Sequence, residues 1–313
     1  MKKLLIIVVV LLVALVLCGA LVVYLRPIRV ISYFNRAELA RAGFRKLKVA
    51  TPFGTQTAFV AGSGPTLIFL HGAGDNAGTW AKVAPHFTNR YRVVVMDLPG
   101  HGESDPVDGP LTMLDMARNI EFATAVHSPP FIIVGNSLGA WLAMIEAENA
   151  PDKTARVVVV DGGPIIGERP DLAKVPATRE DARKVWDAIL DPGSPRIPDF
   201  ILDDVVRQAQ RGPIGRLARA GDMPRFLMSV DRVQHFPVPV DLLWGESDRL
   251  VPVTYARTLQ AELPAARLTT LPRCGHIPQA ECPIAFTAAL EKVLLQSPPA
   301  SAAVRDTALQ AKP

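Results

Sequence analysis

The 313-residue sequence predicts an α/β fold: a mostly parallel sheet flanked by helices, interrupted by an inserted helical cap and preceded by one transmembrane helix. Three observations predict it. Residues 4–25 are 22 consecutive uncharged positions, mostly Leu, Val and Ile. Six short β-branched or aliphatic runs then recur with helical stretches between them, the pattern of strands buried on both faces of a sheet. Finally, the interval from Gly162 to Phe236 has no such run and carries helical stretches instead.

Residues 1–27 form the anchor. As a helix, the uncharged run spans roughly 33 Å, enough for a bilayer core. A cleaved signal peptide would use Cys18-Gly19-Ala20 as its small-residue site. The apolar run instead continues through Leu21, Val22 and Val23, and Leu17 stands where a lipoprotein signal wants a small residue. Both points favour an uncleaved single-pass anchor. Arg26, Arg29, Arg36 and Arg41 rival Lys2 and Lys3 under the positive-inside rule; Lys2-Lys3 at the very start mildly favours an exported domain. Residues 28–48 mix Ile28, Ile31, Tyr33, Phe34 and Phe44 with bases, as an amphipathic juxtamembrane segment on anionic headgroups would, or a helix packed on the following domain.

The core is expected in two halves, 49–166 and 236–296. Its strands are 66–70 (TLIFL), 92–96 (RVVVM), 131–134 (FIIV), 156–160 (RVVVV), 240–244 (VDLLW) and 268–271 (LTTL). Residues 167–235 form the cap, with helical stretches at 179–190 and 200–210 broken by Asp191-Pro192-Gly193-Ser194-Pro195. Residues 297–313, rich in Ala, Ser and Pro, are expected to be a disordered tail.

Charge excludes one class of partner. The chain has 34 Lys+Arg and 30 Asp+Glu, but nine of the bases and a single acid lie within residues 1–48, leaving 25 bases against 29 acids. A body of that sign lacks the basic face of a nucleic-acid binder. With 49% hydrophobic and 20% charged residues, global disorder is excluded as well.

The strongest chemical signal is Gly135-Asn136-Ser137-Leu138-Gly139, directly between a strand and a helical stretch. In a nucleophile elbow the serine is held in strained dihedrals so that its hydroxyl projects above the sheet, and the flanking positions pack too closely for side chains. A nucleophilic serine needs a base, and the base an orienting acid. Asp248 follows the strand at 240–244 and His276 follows that at 268–271, both in loops at strand C-terminal ends, where open parallel sheets place ligand sites. Asp161, after the strand at 156–160, is a rival acid whose other role is a helix cap or loop hydrogen bond; His86, His127 and His235 read as structural. Acyl transfer also needs oxyanion donors. One is expected at the Leu138 amide, the other at Ala73 within His71-Gly72-Ala73-Gly74.

That loop also admits a different reading. Gly72-Ala73-Gly74-Asp75-Asn76-Ala77 fits a dinucleotide fingerprint, with Asp97 where a ribose ligand would sit. This leaves the serine elbow, Asp248 and His276 unexplained. No H-E-x-x-H motif or clustered Cys/His set suggests a metal hydrolase.

Taken together, His71-Gly72-Ala73-Gly74, Asp97-Leu98-Pro99-Gly100-His101-Gly102-Glu103-Ser104, the serine elbow, Gly245…Asp248…Pro252 and Gly275-His276 resemble the α/β-hydrolase superfamily, over about residues 50–296. The resemblance implies an eight-stranded, mostly parallel sheet with a helical cap inserted after the sixth strand. It also implies Ser137, Asp248 and His276 as triad and Ala73 and Leu138 as oxyanion donors. Serine at the elbow departs from the aspartate of dehalogenases and epoxide hydrolases. The anchor, together with Pro176-Ala177-Thr178-Arg179-Glu180-Asp181-Ala182 in the cap, is similar to membrane-bound monoacylglycerol lipases.

The expected function is a membrane-anchored serine hydrolase of small-molecule or lipid esters that needs no metal or organic cofactor. A carbon–carbon bond hydrolase with the same triad, or a non-catalytic scaffold, are the alternatives. Apolar cap residues, among them Trp186, Phe200, Met223, Phe226 and Met228, are expected to line an acyl pocket or to pack the cap onto the sheet. Cys274 and Cys282 flank His276 and would close a short loop if paired in an oxidising compartment; sequence proximity leaves open whether they face each other.

Overall fold

The computed structural model describes residues 2–164, 175–263 and 265–298. The described elements begin with helices α1 (Lys2–Leu25) and α2 (Pro27–Arg41) and strands β1 (Arg45–Thr51), β2 (Gly54–Ala61), β3 (Thr66–Leu70) and β4 (Arg92–Met96). They continue through α3 (Met113–Thr124), β5 (Phe131–Asn136), α4 (Leu138–Asn149) and β6 (Thr154–Val160). Helices α5 (Arg179–Ile189), α6 (Asp199–Arg211), α7 (Pro213–Ala220) and α8 (Val230–Gln234) follow. The chain then returns to β7 (Val240–Gly245), α9 (Val253–Glu262), β8 (Arg267–Leu271), α10 (Pro278–Glu281) and α11 (Pro283–Leu295).

The strands form one eight-stranded sheet in the order β1-β2-β4-β3-β5-β6-β7-β8. Strands β3 to β8 pair in parallel, whereas β2 runs antiparallel to both β1 and β4. This is the expected mostly parallel architecture. Its continuous apolar runs are explained by burial on both faces: Ile68, Leu70, Val94 and Met96 point into one core layer, Leu67, Phe69, Val93 and Val95 into the other. At the N-terminal ends of β6, β7 and β8, buried Arg156 donates to Asp241 at 2.6 Å and Arg267 to the same carboxylate at 2.9 Å. Arg156 also donates to the Val293 carbonyl at 2.9 Å, closing the end of α11. This polar network lies at the sheet edge opposite the loops that carry Ser137, Asp248 and His276.

The expected juxtamembrane segment 28–48 requires correction. It divides into α2 and, from Arg45, the edge strand β1, which opens an antiparallel hairpin absent from the sequence reading. The bases of RKLKVAT disguise the strand: Arg45, Lys46 and Lys48 need no partner layer because β1 is an edge, where charge is tolerated and blocks further pairing.

Helices fill the described part of the inserted interval. The segment 176–182 has a local structural role: Thr178 accepts from the Asp181 amide at 3.1 Å and Asp181 accepts from the Thr178 amide at 2.9 Å, a capping box that starts α5. Most of the 297–313 segment, together with 165–174 at the entrance to the cap, lies outside the described residues.

Helix α1 spans 24 residues and is long and apolar enough to cross a membrane, and none of its residues is buried by the rest of the chain. Its end is tied to the cap. Arg207 of α6 donates to the Leu25 carbonyl at 2.7 Å, buried Asp204 accepts from the Ile28 amide at 3.2 Å, and Tyr24 stacks on Phe200 at 5.6 Å. Helix α2 then runs to the loop after β3, where Asn76 donates to Ser32 at 3.0 Å.

Candidate active site

Ser137 occupies the single-residue turn between β5 and α4, with φ +53° and ψ −115°. Positive φ is strained for a serine, and the surrounding packing sustains it. A Cβ on Gly135 would lie 2.3 Å from the Gly139 carbonyl, and one on Gly139 would lie 2.5 Å from the Leu70 carbonyl. Both glycines are therefore required by close approach, which is why the turn can be this tight. Leu138 is the first residue of α4, so its amide lies outside the helix's own hydrogen-bond ladder.

The two other predicted residues meet. His276 Nδ1 and Asp248 Oδ2 are 2.8 Å apart, both residues nearly inaccessible to solvent. Asp248 is held in turn: its Oδ1 accepts from the amides of Leu250 at 2.8 Å and Val251 at 2.9 Å. The His276 loop is joined to the elbow by Asn136, whose Nδ2 donates to the His276 carbonyl at 2.9 Å, while Gln279 donates to Asn136 Oδ1 at 3.1 Å. The Asp248–His276 pair is thus built onto the residue immediately before Ser137.

The cap completes this frame. The Ile189 carbonyl, at the end of α5, accepts from the His276 amide at 2.7 Å, and the Ala188 carbonyl accepts from the Arg249 amide at 2.9 Å. Glu281 Oε2 accepts from the Gly275 amide at 2.6 Å, while its Oε1 accepts from the Asp191 amide at 2.7 Å and from Ser194. Cys274 and Cys282 form a disulfide that closes the loop containing His276. Asn136, Gln279, Glu281 and the Ile189 carbonyl escaped the sequence reading. Asn136 alone carried a signal, as the variable position before the elbow serine.

The candidate oxyanion loop abuts the same centre: a Cβ on Gly72 would lie 3.3 Å from Ser137 Cβ. His71 latches the loop to the end of β4, donating from Nδ1 to the Gly72 carbonyl at 2.8 Å and accepting from the Leu98 amide at Nε2 at 2.9 Å. Burial, with His101 alongside, holds His71 well below the ordinary imidazole range, so the ring is neutral. Burial likewise lowers His101 to about 4 and raises Asp75, directly behind Gly74, to about 6. Ile214 of α7 stands over Gly74, whose added Cβ would lie 2.6 Å from its Cδ1.

Two alternatives lose their support. Asp97 accepts from the Ala77 amide at 2.7 Å and the Glu103 amide at 2.8 Å, and a Cβ on Gly102 would fall 2.2 Å from its carboxyl. It is a buried loop clamp rather than a ribose ligand. Asp161 is buried at the end of β6 and accepts from the Gly245 amide at 2.8 Å; the acid that holds His276 is Asp248. Among the cap residues, Met228 is buried in the core, Met223 and Phe226 pack against it, and Phe200 faces Tyr24 of α1.

A family model described as the alpha/beta hydrolase family matches residues 67–290, well over half of the chain. The chain belongs to the alpha/beta hydrolase family. Among similar members, an uncharacterised protein of Mycobacterium tuberculosis is 29% identical over 284 residues, covering 81% of this chain and 82% of the relative. The 2-hydroxy-6-oxo-6-phenylhexa-2,4-dienoate hydrolase of Burkholderia cepacia is 28% identical over 255 residues, covering 72% of this chain and 86% of the relative. Among solved structures, that of a membrane phospholipase A, a bacterial virulence factor, superposes with a TM-score of 0.73 at 24% identity, covering 94% of this chain and 98% of the other. The family's fold agrees with the eight-stranded, mostly parallel sheet.

Proposed function

We propose that this hydrolase is a membrane-anchored, exported serine esterase that cleaves carboxylic esters, lipid esters among them, through an acyl-serine intermediate. The observation that carries the reading is the 2.8 Å bond between His276 and Asp248, joined through Asn136 to a strained Ser137 on the strand–helix turn.

With Nδ1 engaged by Asp248, Nε2 of His276 is the nitrogen that exchanges protons. It takes the Ser137 proton as Oγ attacks the ester carbonyl, and Asp248 stabilises the imidazolium. The carbonyl oxygen becomes an oxyanion received by the Ala73 and Leu138 amides. His276 returns the proton to the departing alcohol, leaving acyl-Ser137. It then deprotonates the water that releases the acid and restores the serine.

The lipid part of the reading draws support from the anchor. Its end is bonded to cap helix α6, and α2 bridges to the loop that carries Ala73, so the apolar N-terminal helix is joined to both the cap and the candidate oxyanion loop. The disulfide beside His276 supports export, because such bonds persist in oxidising compartments. The Burkholderia relative favours a second reading, carbon–carbon bond hydrolysis by the same residues.

A fluorophosphonate probe should label the full-length protein at Ser137. In Ser137→Ala, labelling should vanish and ester turnover should fall roughly 10⁴-fold or more. Labelling that survives moves the nucleophile elsewhere. Turnover of diketone-type substrates but not of a chain-length series of esters and monoacylglycerols would select the second reading.

A further inference from the structure

Asp161 is unusual for a residue outside the proposed triad. It follows β6 with φ +46°, in the left-handed region where an L-residue is strained, and it is inaccessible to solvent. Register explains its location: Val160 pairs with Leu243, the Asp161 amide donates to the Leu243 carbonyl at 3.2 Å, and its Oδ1 accepts from the Gly245 amide at 2.8 Å. The carbonyl of that same Gly245 accepts from the Asp248 amide at 3.2 Å. Two acids are therefore stitched to one residue at the end of β7, within hydrogen-bonding reach of each other. Asp161 Oδ2 is buried with no donor among the described residues. The adjoining Gly162 lies behind the nucleophile, since its Cβ would approach the Ser137 carbonyl oxygen to 2.6 Å.

Two buried carboxylates in contact do not both ionise. Which one keeps a proton follows from their donors. Asp248 receives three, the amides of Leu250 and Val251 and the His276 ring. Asp161 receives one, the Gly245 amide. The negative charge belongs on Asp248 and the proton on Asp161.

We propose that Asp161 is a neutral carboxylic acid whose Oδ2–H donates a hydrogen bond to the Asp248 carboxylate, making it a positioning residue that sets the basicity of the Asp248–His276 pair. The inference rests on the reading of Ser137, Asp248 and His276 as the acyl-transfer machinery. Burial and the Asp248 charge hold Asp161 well above the usual carboxylate range, and Glu281 on α10 acts in the same direction. The facing groups that titrate or carry charge are thus Asp248, Glu281 and, through Asp248, His276. A donor on Asp248 spreads its charge and moderates its pull on the imidazolium. His276 then stays neutral, and able to accept the Ser137 proton, to lower pH than it would beside an unmoderated carboxylate.

The test compares Asp161→Ala and Asp161→Asn in the full-length protein. Asp161→Ala removes the donor; kcat/KM should fall roughly tenfold or more, and the acidic limb of its pH profile should move upward. Asp161→Asn keeps an acceptor for Gly245 and supplies an N–H donor to Asp248, so it should restore both rate and acidic limb towards wild type. An ionised Asp161 would give a different result: Asp161→Asn would delete a negative charge near His276 and move the acidic limb downward, which overturns the proposal. Difference infrared spectroscopy of wild type minus Asp161→Asn provides a readout independent of turnover and of whether Asp161→Ala folds. The C=O band of a buried protonated carboxyl should be present at neutral pH and lost in the variant; a carboxylate band in its place rejects the proposal. Ser137→Ala keeps the two tests apart. If it retains activity, the triad reading fails, while the infrared band still locates the proton on Asp161.

Discussion

Three buried histidines, His71, His101 and His127, are held neutral by burial, and His127 has no partner for either ring nitrogen among the described residues. Burial, with Arg92 nearby, lowers His127 to about 4. A depressed histidine contributes stability that is present above the unfolded-state value of about 6.5 and is lost as pH falls towards the folded value. Between those limits the unfolded chain binds more protons, so the protein should weaken progressively from about pH 6.5 to pH 4. His127→Phe removes one titrating ring and no hydrogen bond. Denaturant midpoints measured across this range should show a shallower acid slope, by up to about 3 kcal/mol at pH 4. A slope identical to wild type would assign the acid sensitivity to other groups.

At the scale of elements, the short connection from β8 through α10 to α11 carries His276 and has little secondary structure of its own. It is restrained from four directions: by the Cys274–Cys282 bridge, by Glu281 on the Gly275 amide, by the Ile189 carbonyl of the cap, and by Asn136 of β5. Cross-linking a loop of about nine residues is worth about 2.5 kcal/mol in the chain-entropy model. The double variant Cys274→Ser, Cys282→Ser should lose about that much stability in urea titrations. Because the bridged loop contains His276, kcat should fall more than KM rises. Alkylation before and after reduction should expose these two thiols only after reduction. Their free alkylation in untreated membranes would reject the bridge and remove one support for export.

The folded domain is tied to its apolar N-terminal helix. Helix α1 exposes nearly all of its Leu, Ile and Val side chains, far more contiguous apolar surface than a soluble monomer carries. Its last turn is bonded to α6, and α2 continues to the loop after β3. The full chain should therefore remain in the pellet when membranes are extracted with alkaline carbonate. Removal of residues 2–25 should move it to the supernatant with fluorophosphonate labelling intact. Full-length protein in the supernatant would overturn the anchor, and a released form lacking residues 1–20 would make α1 a cleaved signal.

The sequence by itself determined the parallel core strands, the elbow and the order of serine, aspartate and histidine. These signals are local: continuous β-branched runs mark strands buried on both faces, and a glycine on either side of Ser137 marks a turn with no room for side chains. The edge hairpin was hidden because β1 is charged where an edge has no layer to meet. The support from Asn136 and Glu281 and the pairing of Cys274 with Cys282 were decided only by tertiary structure. Each depends on the distance between side chains brought together by sheet register, and no residue type or spacing along the chain encodes that distance.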